Sequence, residues 1–124
     1  MLMFIFLSMI FLHIIDDYVL QQPCLANLKQ KKFWDANAPN KLYKNDYRMA
    51  LLMHSFSWSF MIMLPLAIYN NFDMRMDFLF MIVLNTACHY IVDDIKANKG
   101  KINLIVDQIM HITQIIVTFI VLMI

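Results

Sequence analysis

The chain has 124 residues, of which 61% are hydrophobic and only 15% are charged. An average soluble domain carries roughly 25% charged residues, and a domain of this length would expose much of its chain to solvent. This composition therefore excludes an ordinary soluble domain and predicts that a lipid bilayer surrounds most of the chain. The formal net charge of +1 argues against a nucleic-acid partner, which would require a concentrated basic face.

Four stretches of the sequence contain no charged residue and predict transmembrane helices. About 20 mostly apolar residues are needed to cross a hydrocarbon core of about 30 Å. Only the second stretch is that long, so we expect the others to include the aspartates at one end. The predicted fold is all-α: a polytopic membrane protein, one transmembrane domain over residues 1–124, with four helices in an antiparallel bundle. The predicted helices lie near residues 2–21, 49–70, 77–95 and 103–123.

Three local features refine these predicted helices. The first helix is expected to be retained rather than cleaved as a signal peptide, because it lacks a basic leading segment and a small-x-small cleavage site. Pro65 lies within the second helix and predicts a kink, which neighbouring helices tolerate in a membrane. Gly100, the only glycine, falls in the tight connection over residues 97–101, where a helix C-cap would use it.

The loop between the first two helices, residues 22–48, combines lysines with aromatic side chains. This composition is typical of a segment at the level of the lipid headgroups, where basic residues favour anionic lipid. We interpret the loop as an interfacial anchor. The residues predicted to lie at the membrane interface are Lys29, Lys31, Lys32, Phe33, Trp34, Tyr43 and Arg48.

The distribution of basic residues predicts the orientation of the chain. Nine of the ten lysines and arginines fall in the first and third loops or at their edges, and only Arg75 falls on the opposite face. By the positive-inside rule both termini lie outside the cytoplasm, which in a bacterium means a multi-pass protein of the inner membrane. Cys24 and Cys88 then lie toward the reducing cytoplasmic side, so we expect no disulfide.

Polar residues within the predicted spans form pairs of histidine and aspartate four residues apart. On a helix this spacing places both side chains on one face, one turn apart. Further polar side chains extend two of the same faces, namely Asn85 beside the second pair and Gln114 beside the third, while Gln21 continues the line of the first. The pairs are His13 with Asp17, His89 with Asp93, and Asp107 with His111.

The histidines also fall at one predicted depth. His13, His54, His89 and His111 each lie six to eight residues inside the predicted end of a helix. At a rise of about 1.5 Å per residue, all four imidazoles would lie about 9–12 Å below the same membrane face. The three paired aspartates would lie one turn nearer that face, so the sequence predicts a layer of imidazoles beside a layer of carboxylates.

Three carboxylates inside the membrane require compensation, because an unpaired acid there costs a few kcal/mol or more. Protons, Lys96 or Lys101, or a metal ion would supply the positive charge. A hydrogen-bonded network that only holds the helices together is the alternative. We expect Asp16 and Asp94, which point about 100° away from their neighbours, to be exposed at the interface. The predicted metal ligands are His13, Asp17, His54, His89, Asp93, Asp107 and His111.

Imidazole and carboxylate ligands suit zinc first, with manganese or iron as alternatives. Helical bundles commonly hold metals with acid–histidine pairs one turn apart. We expect glutamine and asparagine side chains to hydrogen-bond the ligands or orient a substrate. These supporting residues are Gln21, Asn85, Gln108 and Gln114.

The motifs together resemble a small bacterial and phage membrane family that is a domain of unknown function. The resemblance rests on His13-Ile-Ile-Asp-Asp17-Tyr-Val-Leu-Gln21, on His54, on His89-Tyr-Ile-Val-Asp93-Asp94, and on Asp107-Gln108-Ile-Met-His111. This family is distantly similar to small inner-membrane proteins described as metal-dependent hydrolases, which implies a divalent metal cofactor. Asp16 stands where the family pattern has a small residue. The composition also fits an AT-rich phage genome.

Three functional hypotheses follow. The first is an intramembrane metal-dependent hydrolase or transferase acting on a lipid or lipid-linked substrate, with Asp107 or Asp17 as general base. The second is a transporter or channel for divalent metal or protons, which would require a homo-oligomer because four helices are few for a carrier. The third is a non-enzymatic phage factor that binds a host membrane protein.

Overall fold

The computed structural model describes residues 1–73 and 75–123, and within them the chain is helical with no β-strand. The all-α prediction is therefore confirmed for the described residues. Six α-helices follow one another, with a π-helical segment at Ile15–Leu20 and a 3-10 turn at Lys41–Tyr43. The α-helices are α1 Leu2–Ile14, α2 Pro23–Leu28, α3 Lys31–Asn37, α4 Asp46–Tyr69, α5 Met76–Ala97 and α6 Leu104–Met123.

Four helical stretches are long and apolar enough to cross a membrane: Leu2–Leu20, Lys41–Tyr69, Met76–Ala97 and Leu104–Met123. The 24 residues of α4 alone rise about 36 Å, which exceeds a hydrocarbon core of about 30 Å. Pro65 lies inside α4. The kink predicted at Pro65 and the antiparallel arrangement in a bilayer stay predictions.

The four long helices pack as a closed ring of contacts. α4 packs against α1 and α5, and α6 completes the ring by contacting the same two helices. Side chains from all four meet in an apolar core in which Met9, Trp58, Ile62 and Ile115 have no exposed surface. Most of the buried charged and imidazole side chains lie beside this core, toward the end of the ring that carries α2, while Ser59, Asn85 and Thr118 lie among the core residues.

The outer surface of the ring is apolar, as a bilayer requires. Large hydrophobic side chains on the long helices, such as Phe80, Val83 and Ile105, remain more than 60% exposed. A water-soluble domain of this size does not expose so continuous an apolar surface. The exposed apolar side chains thus agree with the four span-capable helices.

The segment predicted as an interfacial loop is largely folded. α2 and α3 occupy much of it, and α4 begins at Asp46. Both short helices pack against α4, and the indole N–H of Trp34 in α3 donates to the carbonyl of Leu28 in α2 at 2.8 Å. The first connection therefore forms a small helical cap on one end of the ring.

The tight connection after α5 uses its glycine. α5 ends at Ala97, and Gly100 adopts φ +59°, a left-handed conformation that glycine takes without steric cost. The turn brings Lys96 and the start of α6 to the same end of the ring as α2. This arrangement positions the polar site.

We predict that Ile62→Ala lowers the free energy of unfolding by about 1–3 kcal/mol, because the cavity removes packing contacts although lipid is as apolar as the core. Ile62 is fully buried, whereas Ile91 on α5 is 56% exposed. Reversible unfolding in mixed micelles, followed by tryptophan fluorescence, measures the change. Ile91→Ala is the matched control, and equal losses in the two variants would contradict this description of the core.

Candidate metal centre

One histidine from each long helix contributes to a buried polar site. His13 of α1, His54 of α4, His89 of α5 and His111 of α6 are each at most 2% exposed. The rings of His13, His89 and His111 contact Trp58, which is also part of the apolar core. The layer of imidazoles predicted from sequence is thus assembled in one place by four helices that are distant in sequence.

Asp93 is the carboxylate that joins the imidazoles. Its Oδ1 lies 3.6 Å from the Nε2 atoms of both His89 and His111, and its Oδ2 lies 3.4 Å from Nε2 of His54. Asp17 approaches the same group from the π-helical segment, with its Oδ1 3.6 Å from His54 Nε2. Nitrogen and oxygen donors from four elements therefore converge within a few ångströms.

Two sets of three residues could hold a metal ion, and they share His89. The first set is Asp17, His54 and His89, and the second is His89, Asp93 and His111. Within each set, one ligand atom from every residue lies within 4.8 Å of the others. Five of the seven predicted ligands thus fall in these sets, and the structure places the other two, His13 and Asp107, beside them.

The spacing of the donors fits a tetrahedral ion. Ligand atoms bound at about 2.0–2.1 Å in tetrahedral geometry lie about 3.3–3.4 Å apart. In the first set, His54 Nε2 lies 3.2 Å from His89 Nε2 and 3.6 Å from Asp17 Oδ1, and in the second set Asp93 Oδ1 lies 3.6 Å from the Nε2 atoms of His89 and His111. The donor set therefore fits a divalent transition-metal ion in both distance and chemistry.

Hydrogen bonds alone do not satisfy this cluster. Around His54 Nε2 lie one further imidazole nitrogen and two carboxylate oxygens, yet one ring nitrogen carries at most one proton. Several buried atoms consequently have no hydrogen-bond partner, which is costly in a low-dielectric interior. These atoms include Asp17 Oδ1, Asp107 Oδ1, His89 Nδ1 and His111 Nε2.

Trp58 orients the imidazoles from the core side. Its ring stacks on His89 with centroids 4.3 Å apart, and His89 stacks on His111 at 4.2 Å. The indole N–H donates to His13 Nδ1 at 2.7 Å, while Nε2 of the same imidazole lies 3.0 Å from Gln108 Oε1. Both ring nitrogens of His13 therefore have protein partners, so this predicted ligand positions its neighbours in the present arrangement.

Asp107 lies at the edge of the cluster with no exposed surface. Its Oδ1 is 3.3 Å from His111 Nε2, and its Oδ2 accepts from Lys96 Nζ at 2.6 Å. Gln108 donates to Asp107 at 3.1 Å and lies 3.5 Å from Asp17 Oδ2. Lys96 thus supplies part of the predicted compensation, and Gln108 links Asp17 of the π-helical segment to Asp107 of α6.

Asp16 corrects the sequence analysis, which placed this carboxylate at the exposed interface. Asp16 is only 1% exposed, accepts from Ser57 Oγ at 2.7 Å and lies 3.5 Å from His54 Nδ1. The cause is the π-helical turn, in which the Asp16 carbonyl accepts from Gln21 N–H five residues later. The wider turn reduces the angle between successive side chains below the about 100° of an α-helix, so both adjacent aspartates face inward.

Lys29 was also misplaced by the sequence analysis, which assigned its side chain to the lipid interface. α2 buries Lys29 to 5% exposure, and its Nζ contacts Asp93 Oδ2 at 2.5 Å. The docking of α2 is reinforced by Asn98, whose side chain bonds the Lys29 carbonyl and the Lys31 N–H. A lysine from the cap therefore reaches the carboxylate that joins the imidazoles.

The remaining interface residues stay near the surface. Phe33 and Trp34 are half-buried, and Lys31, Lys32, Tyr43 and Arg48 are exposed. Trp34 and Tyr43 stack with centroids 6.3 Å apart. Asp94 is half-buried and bonds to Asn98 and Lys99 beside the cap. These positions are compatible with the headgroup-level location that their composition predicts.

The supporting residues lie on two sides of the cluster. Gln114 Nε2 contacts the Asn85 carbonyl at 3.3 Å, and its Oε1 is 3.5 Å from His111 Nδ1. Asn85 in turn donates to Thr118 at 2.8 Å. Gln21 lines a cavity beside Asp17. The polar network thus continues from the metal-ligand sets toward the core and toward the surface.

Trp58 and Ser57 were missed by the sequence analysis. Trp58 lies one turn after His54, so the same spacing that paired the histidines with aspartates could have placed Trp58 on the inward face. The position of Ser57 in the site could be predicted only if Asp16 was known to face inward, because Ser57 takes part by donating a hydrogen bond to Asp16.

Comparison with known families adds one result. The family described as a protein of unknown function, DUF3307, matches residues 5–124. The chain belongs to this family. No curated protein and no solved structure matches the chain. The match to DUF3307 spans all four histidines of the site, and the similarity to metal-dependent hydrolases stays a prediction.

The charges of the site in this DUF3307 chain do not balance by themselves. Four buried or nearly buried aspartates, Asp16, Asp17, Asp93 and Asp107, face two ammonium groups from Lys29 and Lys96. With ionised carboxylates and neutral imidazoles, two negative charges remain. One divalent cation would neutralise them, and so would protonation of two imidazoles.

We predict that Lys29→Met lowers the free energy of unfolding of metal-free protein by about 3–5 kcal/mol, because it leaves a buried carboxylate unpaired. Lys31→Met is the matched control, since its ammonium is half-exposed and lies 3.6 Å from Asp35, a pair worth less than about 1 kcal/mol. Unfolding in mixed micelles with EDTA present measures both. Similar stability in the two variants would contradict the buried Lys29–Asp93 pair.

Proposed function

We propose that this protein is an intramembrane metal-dependent hydrolase or transferase acting on a lipid or lipid-linked substrate. The observation that carries the proposal is the pair of ligand sets that share His89, in the first of which His54 Nε2 lies 3.2 Å from His89 Nε2 and 3.6 Å from Asp17 Oδ1, a spacing that suits a divalent ion. In a network held together by hydrogen bonds alone, a proton would instead lie between each close pair of nitrogen or oxygen atoms. Asp17 Oδ1 and His111 Nε2, one from each ligand set, have no hydrogen-bond partner, which supports a cation beside them.

A single ion is the simplest occupant, because the two sets of three ligands share His89. His89 would hold it together with Asp17 and His54, or with Asp93 and His111. The second set leaves Asp17 free to act as a base, and we therefore assume that set in the predictions for this site. Ligand sets rich in imidazole favour zinc, while additional carboxylates admit manganese or iron. Trp58 and Gln108 fix the rings and acids around it.

Asp17 is the better placed of the two predicted general bases. Asp107 has no exposed surface, and its Oδ2 already accepts from Lys96 and Gln108. Asp17 lines the cavity that opens beside the ligands, retains 10% exposure, and has an Oδ1 without a hydrogen-bond partner. Asp17 can therefore accept a proton from a water that enters through the cavity.

Water and substrate must reach the metal-ligand sets, and a cavity beside these residues provides the path. It encloses about 310 Å³ and is lined by Asp17 and Asp93 of the ligand sets together with Lys29 and Lys96. A divalent ion at this site supplies Lewis acidity toward an ester or phosphoryl oxygen. The protein side chains orient the substrate, receive the proton from water, and exclude bulk solvent from one side.

Transport is the competing function, and one observation favours it. A polar chain leads from His111 through Gln114 and Asn85 to Thr118. Thr118 is fully buried, however, and its neighbourhood includes Ile115 and the apolar core. Within the described residues this chain stops short of the opposite surface, so transport would require rearrangement or a homo-oligomer.

The proposed location is a bacterial inner membrane with both termini outside the cytoplasm. Nine of the ten basic residues lie in or beside the two loops at the end of the ring that carries the cap and the site. The positive-inside rule then places the cavity near the cytoplasmic leaflet. A membrane lipid would have direct access to it.

We predict about one transition-metal ion per chain in protein purified without added chelator, with zinc as the main species. His89→Ala combined with Asp93→Ala removes members of both ligand sets and abolishes the bound metal. Asp35→Ala, which alters an exposed carboxylate of α3, retains it. Inductively coupled plasma mass spectrometry reads out the content, and trace metal unaffected by the double substitution would refute the metal site.

For activity, we predict that protein in nanodiscs of bacterial total lipid converts at least one lipid species in an EDTA-sensitive manner. Asp17→Asn should lower the rate by about 10²–10⁴-fold, as expected for loss of a general base, while retaining metal. Liquid chromatography with mass spectrometry follows the lipids. Zinc or proton flux into liposomes without lipid turnover would favour the transporter.

A further inference from the structure

The polar cavity beside the metal-ligand sets has two cationic walls. Lys29 Nζ is 2.5 Å from Asp93 Oδ2, and Lys96 Nζ is 2.6 Å from Asp107 Oδ2. Each ammonium group has three donors and uses one of them in these pairs. Gln21 adds an amide group to the same cavity, whereas the amide nitrogen of Gln108 already donates to Asp107 and Asp17. The cavity can therefore donate several hydrogen bonds to an anionic oxygen.

An apolar groove of about 470 Å³ runs along the outside of α6. Its walls include Ile105, Ile109 and Ile112, and it extends from Leu104 to Thr113, about 14 Å along the helix. Ile105 and Ile109 are 69% and 60% exposed. In a bilayer this groove faces lipid chains.

The cavity and the groove adjoin each other. Tyr18, Leu104 and Gln108 line both of them. Gln108 at the junction also contacts His13 and Asp107. Its side chain therefore connects the buried histidine–aspartate site to the groove. A polar, lysine-lined chamber therefore continues into an apolar channel on the lipid-facing surface.

We propose that these two spaces bind one membrane lipid with a phosphate headgroup, its phosphate in the cavity and its chain along α6. This inference rests on the proposed function and names its substrate class. Asp17 and Asp93 also line the cavity, so the two lysines complement phosphate oxygens in charge when a divalent ion neutralises the carboxylates. The cavity volume lies at the low end of about 300–1,000 Å³ for small-molecule sites. A neutral headgroup would leave the lysines without an anionic partner other than the ligand aspartates.

The test uses full-length zinc-loaded protein in detergent micelles, titrated with dioleoyl phosphatidic acid and followed by native mass spectrometry. Dioleoylglycerol lacks the phosphate, and glycerol 3-phosphate and inorganic phosphate lack the chain. We expect phosphatidic acid to bind at least about tenfold more tightly than each of the three, because headgroup and chain both contribute.

Two variants separate the headgroup from the chain. Lys96→Met should weaken phosphatidic acid binding about tenfold, the loss of one charge-assisted contact, and Ile109→Trp should weaken it by obstructing the groove. The matched controls are Lys32→Met and Ile91→Trp, which alter an exposed lysine and an exposed isoleucine outside both spaces. Thermal unfolding of each variant verifies its fold.

The outcomes distinguish this inference from the metal site. Zinc retained with no preference for phosphatidic acid over dioleoylglycerol would overturn the inference and leave the proposed function standing. Inorganic phosphate binding as tightly as the lipid would also overturn it, in favour of a soluble anion. Loss of zinc from the unmodified protein would count against the proposed function itself. Equal effects of Ile109→Trp and Ile91→Trp would contradict the placement of the lipid chain in the groove along α6.

Discussion

The carboxylate of Asp93 is the group on which the polar half of this structure depends. It lies within 3.4–3.6 Å of three imidazoles and contacts an ammonium group, inside a ring of helices whose outer surface is apolar. An isolated charge there would be costly, so every element that touches Asp93 must bring a compensating group. Helices α4, α5 and α6 bring imidazoles, and α2 brings Lys29 from outside the ring.

The same requirement explains why the apolar core and the site are inseparable. Trp58 is fully buried, stacks on His89 and donates to His13, so one side chain packs the core and orients two of the imidazoles. Buried polar groups of this kind are tolerated only when their partners are fixed. The packing of Met9, Ile62 and Ile115 around Trp58 thus affects how accurately the ligand atoms meet.

The predictable parts of this molecule are those that local sequence encodes. Apolar runs specify long helices, and four-residue spacing places His89 with Asp93 on one face whatever their surroundings. Lys29 and Asp16 escaped prediction because their burial depends on tertiary contacts. A lysine in a basic loop gives no signal that its short helix will dock on α4. In the π-helical turn, successive side chains are separated by a smaller angle than in an α-helix. A prediction that assumes about 100° per residue therefore misplaces Asp16.

The charge balance also limits how many ions the site can hold. Four aspartates opposed by Lys29 and Lys96 leave two negative charges when the imidazoles are neutral, and one divalent ion neutralises them. A second divalent ion would leave an excess of two positive charges in a low-dielectric interior, unless lysines withdrew or an anion entered. A phosphate in the adjoining cavity would be such an anion. With neutral imidazoles, the electrostatics therefore favour a single divalent ion, with any further positive charge admitted only together with an anionic ligand.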